Sequence, residues 1–362
     1  MKKIRVNLKE NSYDIVVGHN ILSGLGAQIR ALDIGDDAIV ITNSVIRKLH
    51  GKALSKSLAK KRISVKFLEV PDSERSKSAT VAFRLIQQIA KMDVKKKMFI
   101  IAFGRGVIGD LAGFIAAVYK RGIPFVQVPT TFLAQIDSAI GGKVAIDLAL
   151  GKNLVGAFYQ PKIVFSDVAL LKTLSNRQVR NGLAEAIKYG VIKDKKLFSY
   201  VEKNSDKLLS VDLKTTTSVV LECSRIKAKV VSADEKERKG IRTILNFGHT
   251  AGHAIESACA YNRYQHGEAI GIGMRIAGAI ACQRKMLCSK ELQKLEDLLD
   301  KVGLPAKAKG IKLSPVMRAV SHDKKIIAKK NRLVLPQGIG RVRVVEGVPT
   351  SVIKQMVTRY MA

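Results

Sequence analysis

Short apolar runs alternate with amphipathic stretches over the first half of the chain. Their spacing predicts strands at residues 38–42, 65–70, 98–103, 125–129 and 163–167, after an initial hairpin within residues 1–18. Periodic apolar positions predict helices at residues 45–61, 78–92 and 111–119. The run at 98–103 is apolar throughout, as a strand buried on both faces requires. Strands and helices that alternate in this way predict a mostly parallel sheet.

The pattern changes after Leu170, where long helical periods replace the strand signals. A chain of 362 residues also exceeds the length at which a single core usually keeps growing. We therefore predict two domains, an α/β domain at residues 1–169 and a helical domain at residues 170–362.

A glycine-rich turn joins the apolar run at 98–103 to the helical stretch that follows. Gly104, Gly106 and Gly109 fit G-x-G-x-x-G, a pattern in which backbone N–H groups at a helix N-terminus bind a pyrophosphate. Tight turns also match this pattern by chance, and the acidic residue expected about twenty positions later is absent. Lys143 and Lys152, in a second glycine-containing loop, favour anion binding, with ordinary surface lysine as the alternative.

Three of the six histidines, His249, His253 and His266, fall within eighteen residues. His249 and His253 are one helical turn apart, so they can point into a shared pocket. Glu185 and Lys188 share one face of another predicted helix. Two histidines and a carboxylate from a second helix form a recurrent catalytic zinc set. The alternatives are hydrogen-bonded core histidines and a surface Glu–Lys ion pair.

The chain is strongly basic, with 63 Lys and Arg against 30 Asp and Glu and a formal net charge of +33. A field of this size attracts polyanions without a specific site. The basic residues are nevertheless scattered in short groups, aromatic residues make up only 5%, and there is no Trp. Because stacking platforms for bases are scarce, a solvated basic surface is the preferred interpretation, and no specific nucleic-acid partner is expected.

The cysteines and the apolar segments indicate a cytoplasmic protein without a membrane partner. Cys223, Cys259, Cys282 and Cys288 lack metal-type spacing, which suits reduced thiols. The first residues alternate like a strand and lack the apolar core of a signal peptide. The longest apolar candidate for a membrane span, residues 269–282, is too short and contains Arg275.

Several sequence blocks together resemble the signature blocks of 3-dehydroquinate synthases, which are sugar phosphate cyclases. The blocks lie in the family's order between about residues 70 and 335, at 106–114, 129–131, 137–143, 150–153, 156–161, 183–188, 246–250, 266–268 and 322–325. Together they are far more specific than any single glycine motif.

The resemblance implies a Rossmann-like NAD-binding α/β domain, an all-α metal-binding domain and an active site in the cleft between them. It implies one divalent metal, zinc or cobalt, held by Glu185, His249 and His266. The implied NAD contacts are Asp72, Ser73, Glu74, Arg75, Ser76, Lys77, Gly106, Val107, Ile108, Gly109, Asp110, Thr130, Thr131, Lys143, Lys152, Leu170, Leu171, Lys172 and Thr173.

The resemblance also implies substrate and catalytic residues. The implied substrate contacts are Arg121, Asp137, Lys143, Asn153, Lys188, Lys227, Arg242, Asn246, His253 and Lys324. The catalytic candidates are His253, Lys143, Glu237, Arg242 and Asn246. In the family Arg121 reaches a neighbouring subunit, which implies a homodimer.

The implied reaction converts 3-deoxy-D-arabino-heptulosonate 7-phosphate to 3-dehydroquinate and phosphate, a phosphate-eliminating lyase step of the shikimate pathway to aromatic amino acids. It proceeds by transient oxidation with NAD, elimination, re-reduction and intramolecular aldol closure. The substrate's carboxylate and phosphate suit a cationic pocket of Lys143, Lys188, Lys227, Arg242 and Lys324. His253 is the expected proton-transfer residue, because a neutral imidazole is poised near pH 7.

The chain departs from the family pattern at two places. The segment containing Glu237 is one residue longer than usual, which leaves the role of that carboxylate open. Arg105 replaces the middle glycine of the turn; if its φ is positive, the strain costs on the order of 1 kcal/mol, and its guanidinium can contact a phosphate. We hypothesise retained NAD binding with altered affinity.

Other functions on the same scaffold remain open from the sequence. They are a sugar-phosphate cyclase with a different substrate and a metal-dependent polyol dehydrogenase. Net phosphate release without net NADH separates a lyase from a dehydrogenase. A nucleic-acid-binding protein is favoured only by the charge, and a sequence preference would be needed to support it.

Overall fold

The computed structural model describes residues 1–93, 97–321 and 331–362. The chain forms two compact units, Met1–Leu174 with Thr216–Lys236, and Ser175–Thr215 with Glu237–Ala362. The sequence pattern predicted one domain boundary, near residue 170. It did not predict that residues 216–236 return to the first unit. Long-range contacts hold that return in place: the Asn7 N–H donates to Ser232 Oγ over 2.9 Å. The bounds of the functional domains stay a prediction.

The first unit is built on a sheet that is parallel except at one edge. The strands of this unit are β1 (Lys2–Val6), β2 (Tyr13–Gly18), β3 (Asp37–Thr42), β4 (Ser64–Glu69), β5 (Met98–Gly104), β6 (Phe125–Pro129), β7 (Lys143–Leu148), β8 (Gly151–Phe158) and β9 (Ile163–Asp167). The order in the main sheet is β1-β2-β9-β6-β5-β3-β4. Only β1 runs antiparallel to its neighbour, so the predicted hairpin and the predicted parallel sheet are confirmed.

The helices, in chain order, are α1 (Leu25–Ala31), α2 (Ser44–Ala59), α3 (Ala79–Met92), α4 (Gly106–Val118), α5 (Asn176–Lys193), α6 (Lys195–Lys203), α7 (Ser205–Leu209), α8 (Leu213–Ala233), α9 (His249–Ala258), α10 (His266–Gln283), α11 (Ser289–Lys301), α12 (Leu313–Ser321) and α13 (Thr350–Arg359). The predicted helices of the first half correspond to α2, α3 and α4. Helix α4 begins five residues earlier than predicted, at Gly106, so the glycine turn forms its first turn.

Strand β5 is buried along its whole length, as its apolar composition predicted. Its alternate side chains enter two different cores: Phe99 and Phe103 pack on one side, and Ile100 on the other. The sheet grows in opposite directions on the two sides of β5. On one side β3 is followed by β4, and on the other side β6 is followed by β9. A reversal of this kind is where parallel α/β sheets bind ligands, beyond the carboxyl ends of the strands.

Strands β7 and β8 correct one prediction, because Lys143 and Lys152 were expected to lie in a second glycine-containing loop. The two strands form an antiparallel hairpin in which Lys143 pairs with Phe158. Gly156 allows the close approach, since a Cβ there would lie 2.3 Å from the Val144 carbonyl oxygen. The glycines and lysines of this segment give no strand pattern in the sequence. The two strands form because they pair with each other.

The second unit is mainly helical, as predicted, but the expected all-α domain also contains two strands. Strands β10 (Arg332–Pro336) and β11 (Val342–Glu346) form an antiparallel hairpin. Leu335 of β10 packs in the same core as Ile255, Ile272 and Val357, which come from α9, α10 and α13. The hairpin forms because its apolar face completes this core. In the part of the chain that the structure describes, no helix is long and apolar enough to cross a membrane.

Candidate active site

Most of the predicted NAD contacts of the first unit lie in segments that follow the carboxyl ends of parallel strands. These segments are residues 72–77 after β4, 106–110 at the start of α4, Thr130 and Thr131 after β6, and 170–173 after β9, whereas Lys143 and Lys152 lie on β7 and β8. Carboxyl ends of parallel strands meet at one edge of the sheet, and this edge contains the reversal between β3 and β5. The fold therefore brings these sequence-distant residues to one edge. Their contact with NAD stays a prediction.

Lys77 links three of the predicted site segments. Only 3% of Lys77 is exposed, and its ammonium group contacts both Asp110 and Asn153. Burial raises the pKa of the Asp110 carboxyl, and the charge of Lys77 opposes that rise. Lys152 of β8 lies 3.3 Å from a carboxylate oxygen of Glu74. The cofactor-loop residues and β8 are therefore connected by ionic contacts.

Arg105 adopts an extended conformation, with φ −78° and ψ 179°. The hypothesis of left-handed strain at this position is therefore wrong, because φ is negative. The guanidinium lies 3.2 Å from both carboxylate oxygens of Asp72, itself a predicted NAD contact. The arginine thus joins the loop after β4 to the glycine turn after β5.

The predicted substrate residues of the first unit lie in four places, one of which is Asn153 on β8, in contact with Lys77. Asp137 accepts from Lys227 over 2.6 Å, which fixes α8 against the segment after β6. Lys143 is exposed at the start of β7. Arg121 is exposed in the turn after α4, with φ +65°. The sequence pattern had assigned Lys227 to the helical domain, whereas the structure places it in the first unit.

The second unit gathers the three predicted metal ligands. Glu185 comes from α5, His249 is the first residue of α9, and His266 is the first residue of α10. The Nε2 atoms of both histidines lie 3.7 Å from Glu185 Oε1. Glu185 is fully buried, so these side chains face one another in the interior of the unit.

The other ring nitrogen of each histidine is also held. His249 Nδ1 lies 3.1 Å from the Phe247 carbonyl oxygen. His266 Nδ1 lies 3.4 Å from Glu256 Oε2. These contacts occupy Nδ1 of each ring, so Nε2, which faces Glu185 in both, is the nitrogen that a cation could use.

The two histidines experience different electrostatic surroundings. Burial, with the nearby charge of Lys188, holds the pKa of His249 well below its ordinary value. Burial also lowers the pKa of His266, but hydrogen bonds to Glu185 and Glu256 outweigh it and raise that pKa to about 10. The surroundings of His266 therefore favour positive charge, which is what two carboxylates around a cation site produce.

This donor set fits a divalent cation. The candidate ligand atoms of Glu185, His249 and His266 all lie within 4.8 Å of one another. A tetrahedral ion with bonds of about 2.0–2.1 Å needs ligand atoms roughly 3.3 Å apart, so small adjustments close the site. The surface-pair alternative fails, because Glu185 is 0% and Lys188 1% exposed. Lys188 instead forms a buried ion pair with Glu185.

The remaining predicted residues of the second unit surround this donor set or lie in the preceding turn. The His253 ring is exposed, with its centroid 5.1 Å from that of His249 and 5.8 Å from that of His266. Arg242 is buried and Asn246 half-buried in the 3₁₀ turn before α9. Glu237 lies 3.5 Å from Arg242 Nε. Lys324 and the block at 322–325 lie outside the described residues.

Sequence reasoning missed two carboxylates that support His266. Glu256 follows His249 by seven residues, a helical spacing that places it on the same face of α9. Glu268 accepts from the Gln265 N–H over 2.8 Å and caps α10. It also accepts two bonds of 2.7 Å from Arg177. The Q-x-x-E spacing at 265–268 was the available signal for that cap.

Solved structures with this fold share the two-unit chain over its full length. A 2-deoxy-scyllo-inosose synthase complexed with carbaglucose-6-phosphate, NAD+ and Co2+ is 28% identical, with TM-score 0.89, and the match covers 99% of this chain and 100% of that one. A 2-epi-5-epi-valiolone synthase from Streptomyces hygroscopicus subsp. jinggangensis, with NAD+ and Zn2+ bound, is 26% identical, with TM-score 0.88 and 98% coverage of both chains. The fold is that of the sugar phosphate cyclases.

Comparisons of sequence identify one family within the sugar phosphate cyclases. Family models described as 3-dehydroquinate synthase N-terminal and C-terminal match residues 67–181 and 182–326. A 3-dehydroquinate synthase of Caldanaerobacter subterraneus subsp. tengcongensis is 43% identical over 354 residues, covering 98% of this chain and 99% of the relative. The chain belongs to the 3-dehydroquinate synthase family.

Proposed function

We propose that the protein is a 3-dehydroquinate synthase, which converts 3-deoxy-D-arabino-heptulosonate 7-phosphate to 3-dehydroquinate and phosphate. The observation that carries this proposal is the buried set of Glu185, His249 and His266. It occurs in a chain that is 43% identical, over nearly all its length, to a named 3-dehydroquinate synthase. NAD and one divalent metal, zinc or cobalt, are the proposed cofactors, since both solved cyclases contain NAD+ and one of these metals.

Each unit would hold one of the two cofactors. NAD belongs to the sheet edge of the first unit, and the metal to the donor set of the second. When bound, NAD would supply a reversible hydride acceptor for oxidation of a substrate hydroxyl, and the metal would supply a Lewis acid. The ammonium groups of Lys77 and Lys152 already lie among the loops of that sheet edge, where they suit the charge of a pyrophosphate.

The protein's own side chains supply binding and proton transfer. The substrate carries a carboxylate and a phosphate, for which Arg242, Lys188 and Lys227 are the proposed cationic partners. Arg242 and Lys227 are 3% and 6% exposed, so a bound anion would meet charges that water screens little. The exposed imidazole of His253, beside the two histidine ligands, is the proposed proton-transfer group at the reacting hydroxyl or phosphate.

A phosphate-release assay on the purified full-length chain tests this function. With the heptulosonate phosphate, NAD and zinc present, phosphate should accumulate without net NADH absorbance. Omitting NAD or adding a metal chelator should stop the release, and restoring the missing component should recover it. Net NADH without phosphate would contradict the proposal and indicate a dehydrogenase. Release only from a different sugar phosphate would indicate another cyclase.

We further propose a homodimer, for which the surface of β8 gives support. This strand pairs with β7 alone in the described part of the chain, and its residues 153–158 are all exposed. Leu154 and Val155 are 37% and 38% exposed, which is unusual for apolar residues adjacent on one strand. A second copy of the chain is the proposed partner of this edge. A cytoplasmic location is also proposed, and none of the four cysteines forms a disulfide.

A further inference from the structure

Glu256 occupies an unusual position for an acidic side chain. It lies on α9 with 9% exposure, and its carboxylate faces the first residue of α10. Glu256 Oε2 is 3.4 Å from His266 Nδ1, while the opposite nitrogen of the same ring faces Glu185 at 3.7 Å. His266 therefore lies between two buried carboxylates, one on each side of its ring.

Two interpretations of Glu256 compete. Its carboxylate, with His253 and His266, forms a second group of candidate ligand atoms within 4.8 Å. A cation there would need Nδ1 of His266, the same atom that faces Glu256. The first group uses the fully buried Glu185 and two Nε2 atoms, whereas the second depends on the exposed His253. A single ion in the first group leaves the His266 Nδ1–H free to donate to Glu256.

We propose that Glu256 is a positioning residue that fixes the tautomer and orientation of His266, so that Nε2 points at the cation. The inference rests on the proposed metal site and extends it to a residue beyond the three ligands. Glu256 also places a negative charge one ring away from the ion, which makes His266 a stronger donor. His249 has no such charge behind it, because a neutral carbonyl oxygen of Phe247 accepts there.

If Glu256 supports His266 in this way, two replacements of Glu256 should lower zinc affinity to different degrees. Glu256→Gln keeps an oxygen acceptor and the side-chain shape but removes the charge. Glu256→Ala removes both. Loss of a side chain that hydrogen-bonds to a metal ligand typically weakens metal binding about 10- to 100-fold, so we expect zinc affinity to fall by roughly that factor in Glu256→Ala and by less in Glu256→Gln.

Zinc competition against a chromophoric chelator, with the full-length chain and no substrate, measures this directly. The visible spectrum of the Co²⁺-loaded protein provides a second readout, and it should shift in both variants because the donor strength of His266 changes. Glu222→Gln is the matched control, since Glu222 forms an ion pair with Arg225 on α8. It should bind zinc as the natural chain does.

The outcomes separate the inference from the metal site on which it rests. His266→Ala and Glu185→Ala should lose zinc; if they retain it stoichiometrically, the ligand assignment is wrong and the inference falls with it. If they lose zinc while both Glu256 variants keep native affinity and the native cobalt spectrum, only the role of Glu256 is overturned. A natural chain that binds two zinc ions, one of them lost in Glu256→Ala, would also overturn it in favour of a second cation site. Should Glu256→Ala fail to fold, Glu256→Gln alone decides by the same criteria.

Discussion

Lys188 shows how a single residue makes a buried carboxylate tolerable, here that of the proposed metal ligand Glu185. Glu185 is 0% exposed, and an isolated carboxylate at such a position would be strongly destabilising. The ammonium group of Lys188, one helical turn along α5, neutralises it. A bound cation would take over part of that neutralisation. The buried pair therefore allows the site to exist before a metal arrives.

This arrangement predicts that Lys188→Met harms the metal-free protein more than the zinc-bound protein. Removing one partner of a buried ion pair costs about 3–5 kcal/mol, because the remaining charge is uncompensated. Zinc should restore part of that loss. Thermal or denaturant unfolding with and without zinc measures both values. Arg225→Met removes the cation from an exposed pair of equal spacing, Glu222 with Arg225, and should cost less than about 1 kcal/mol in either state. Equal losses with and without zinc would contradict this explanation.

At the scale of elements, the start of α10 places His266 and is itself stabilised by Glu268. This carboxylate accepts from the Gln265 N–H and from Arg177. Burial raises its pKa, but the hydrogen bonds from Arg177 and Gln265 outweigh that effect and hold the pKa below its ordinary value of 4.5. The cap, and with it the placement of His266, therefore depends on an ionised Glu268.

Glu268→Ala should lower the free energy of unfolding by about 1 kcal/mol at pH 7, the typical value of a helix cap. A carboxyl whose pKa is lower in the folded protein stabilises it above the unfolded-state pKa, and this contribution disappears as the pH falls through the folded-state value. The difference between natural chain and variant should therefore be full at pH 7 and shrink below about pH 4.5. Urea unfolding across this range, with exposed Glu10→Ala as control, measures it. A difference that stays constant with pH would contradict the charged-cap explanation.

Arg105 and Asp72 join two further segments, the glycine turn after β5 and the loop after β4. Since the Arg105 backbone is extended, replacing it with glycine relieves no strain. Arg105→Gly should instead leave Asp72 without this cationic partner in a loop predicted to contact NAD. We expect NAD to bind up to about fivefold more weakly, equivalent to an exposed ion pair of at most about 1 kcal/mol.

Titration of NAD against the natural chain and Arg105→Gly gives the comparison. The double variant Arg105→Gly with Asp72→Asn removes the uncompensated charge and should recover most of the affinity. An unchanged dissociation constant in Arg105→Gly would remove any special role for this arginine in NAD binding.

At the scale of the whole molecule, the proposed homodimer depends on the exposed edge of β8. Leu154→Lys should shift the protein toward monomer, because a charged side chain at a strand edge opposes pairing with a second copy. Leu49→Lys is a suitable control, since Leu49 is 52% exposed on α2. Sedimentation velocity over a range of concentrations distinguishes the two. A dimer that is equally stable in both variants would exclude β8 as the interface.

The net charge of +33 is also a property of the whole molecule. It is spread over a chain whose buried cations, such as Lys77, Lys188 and Lys227, are engaged with acidic partners. These three buried lysines are predicted site residues, whereas the excess charge contributes a long-range field that salt screens.

Most of the first unit was predictable from local pattern. The predicted strand at 98–103 corresponds to Met98–Gly104, and the predicted strand at 38–42 to Asp37–Thr42, because a buried strand must be apolar along its length. The three histidines were also apparent, since His249 and His253 are one turn apart and His266 belongs to a recognisable block. The approach of His249 and His266 to Glu185 could be inferred only through the family resemblance.

The sequence by itself determined the alternation of strands and helices, the glycine turn and the residue types of a cation site, because each is a short-range pattern imposed by backbone geometry or donor chemistry. Only the tertiary structure decided that 216–236 returns to the first unit, that β7 pairs with β8, and that Glu256 lies behind His266. Those features depend on contacts between residues far apart in the chain or on side-chain direction. Hydrogen bonds and burial that form only when distant segments meet leave no periodic signal in the sequence of either segment.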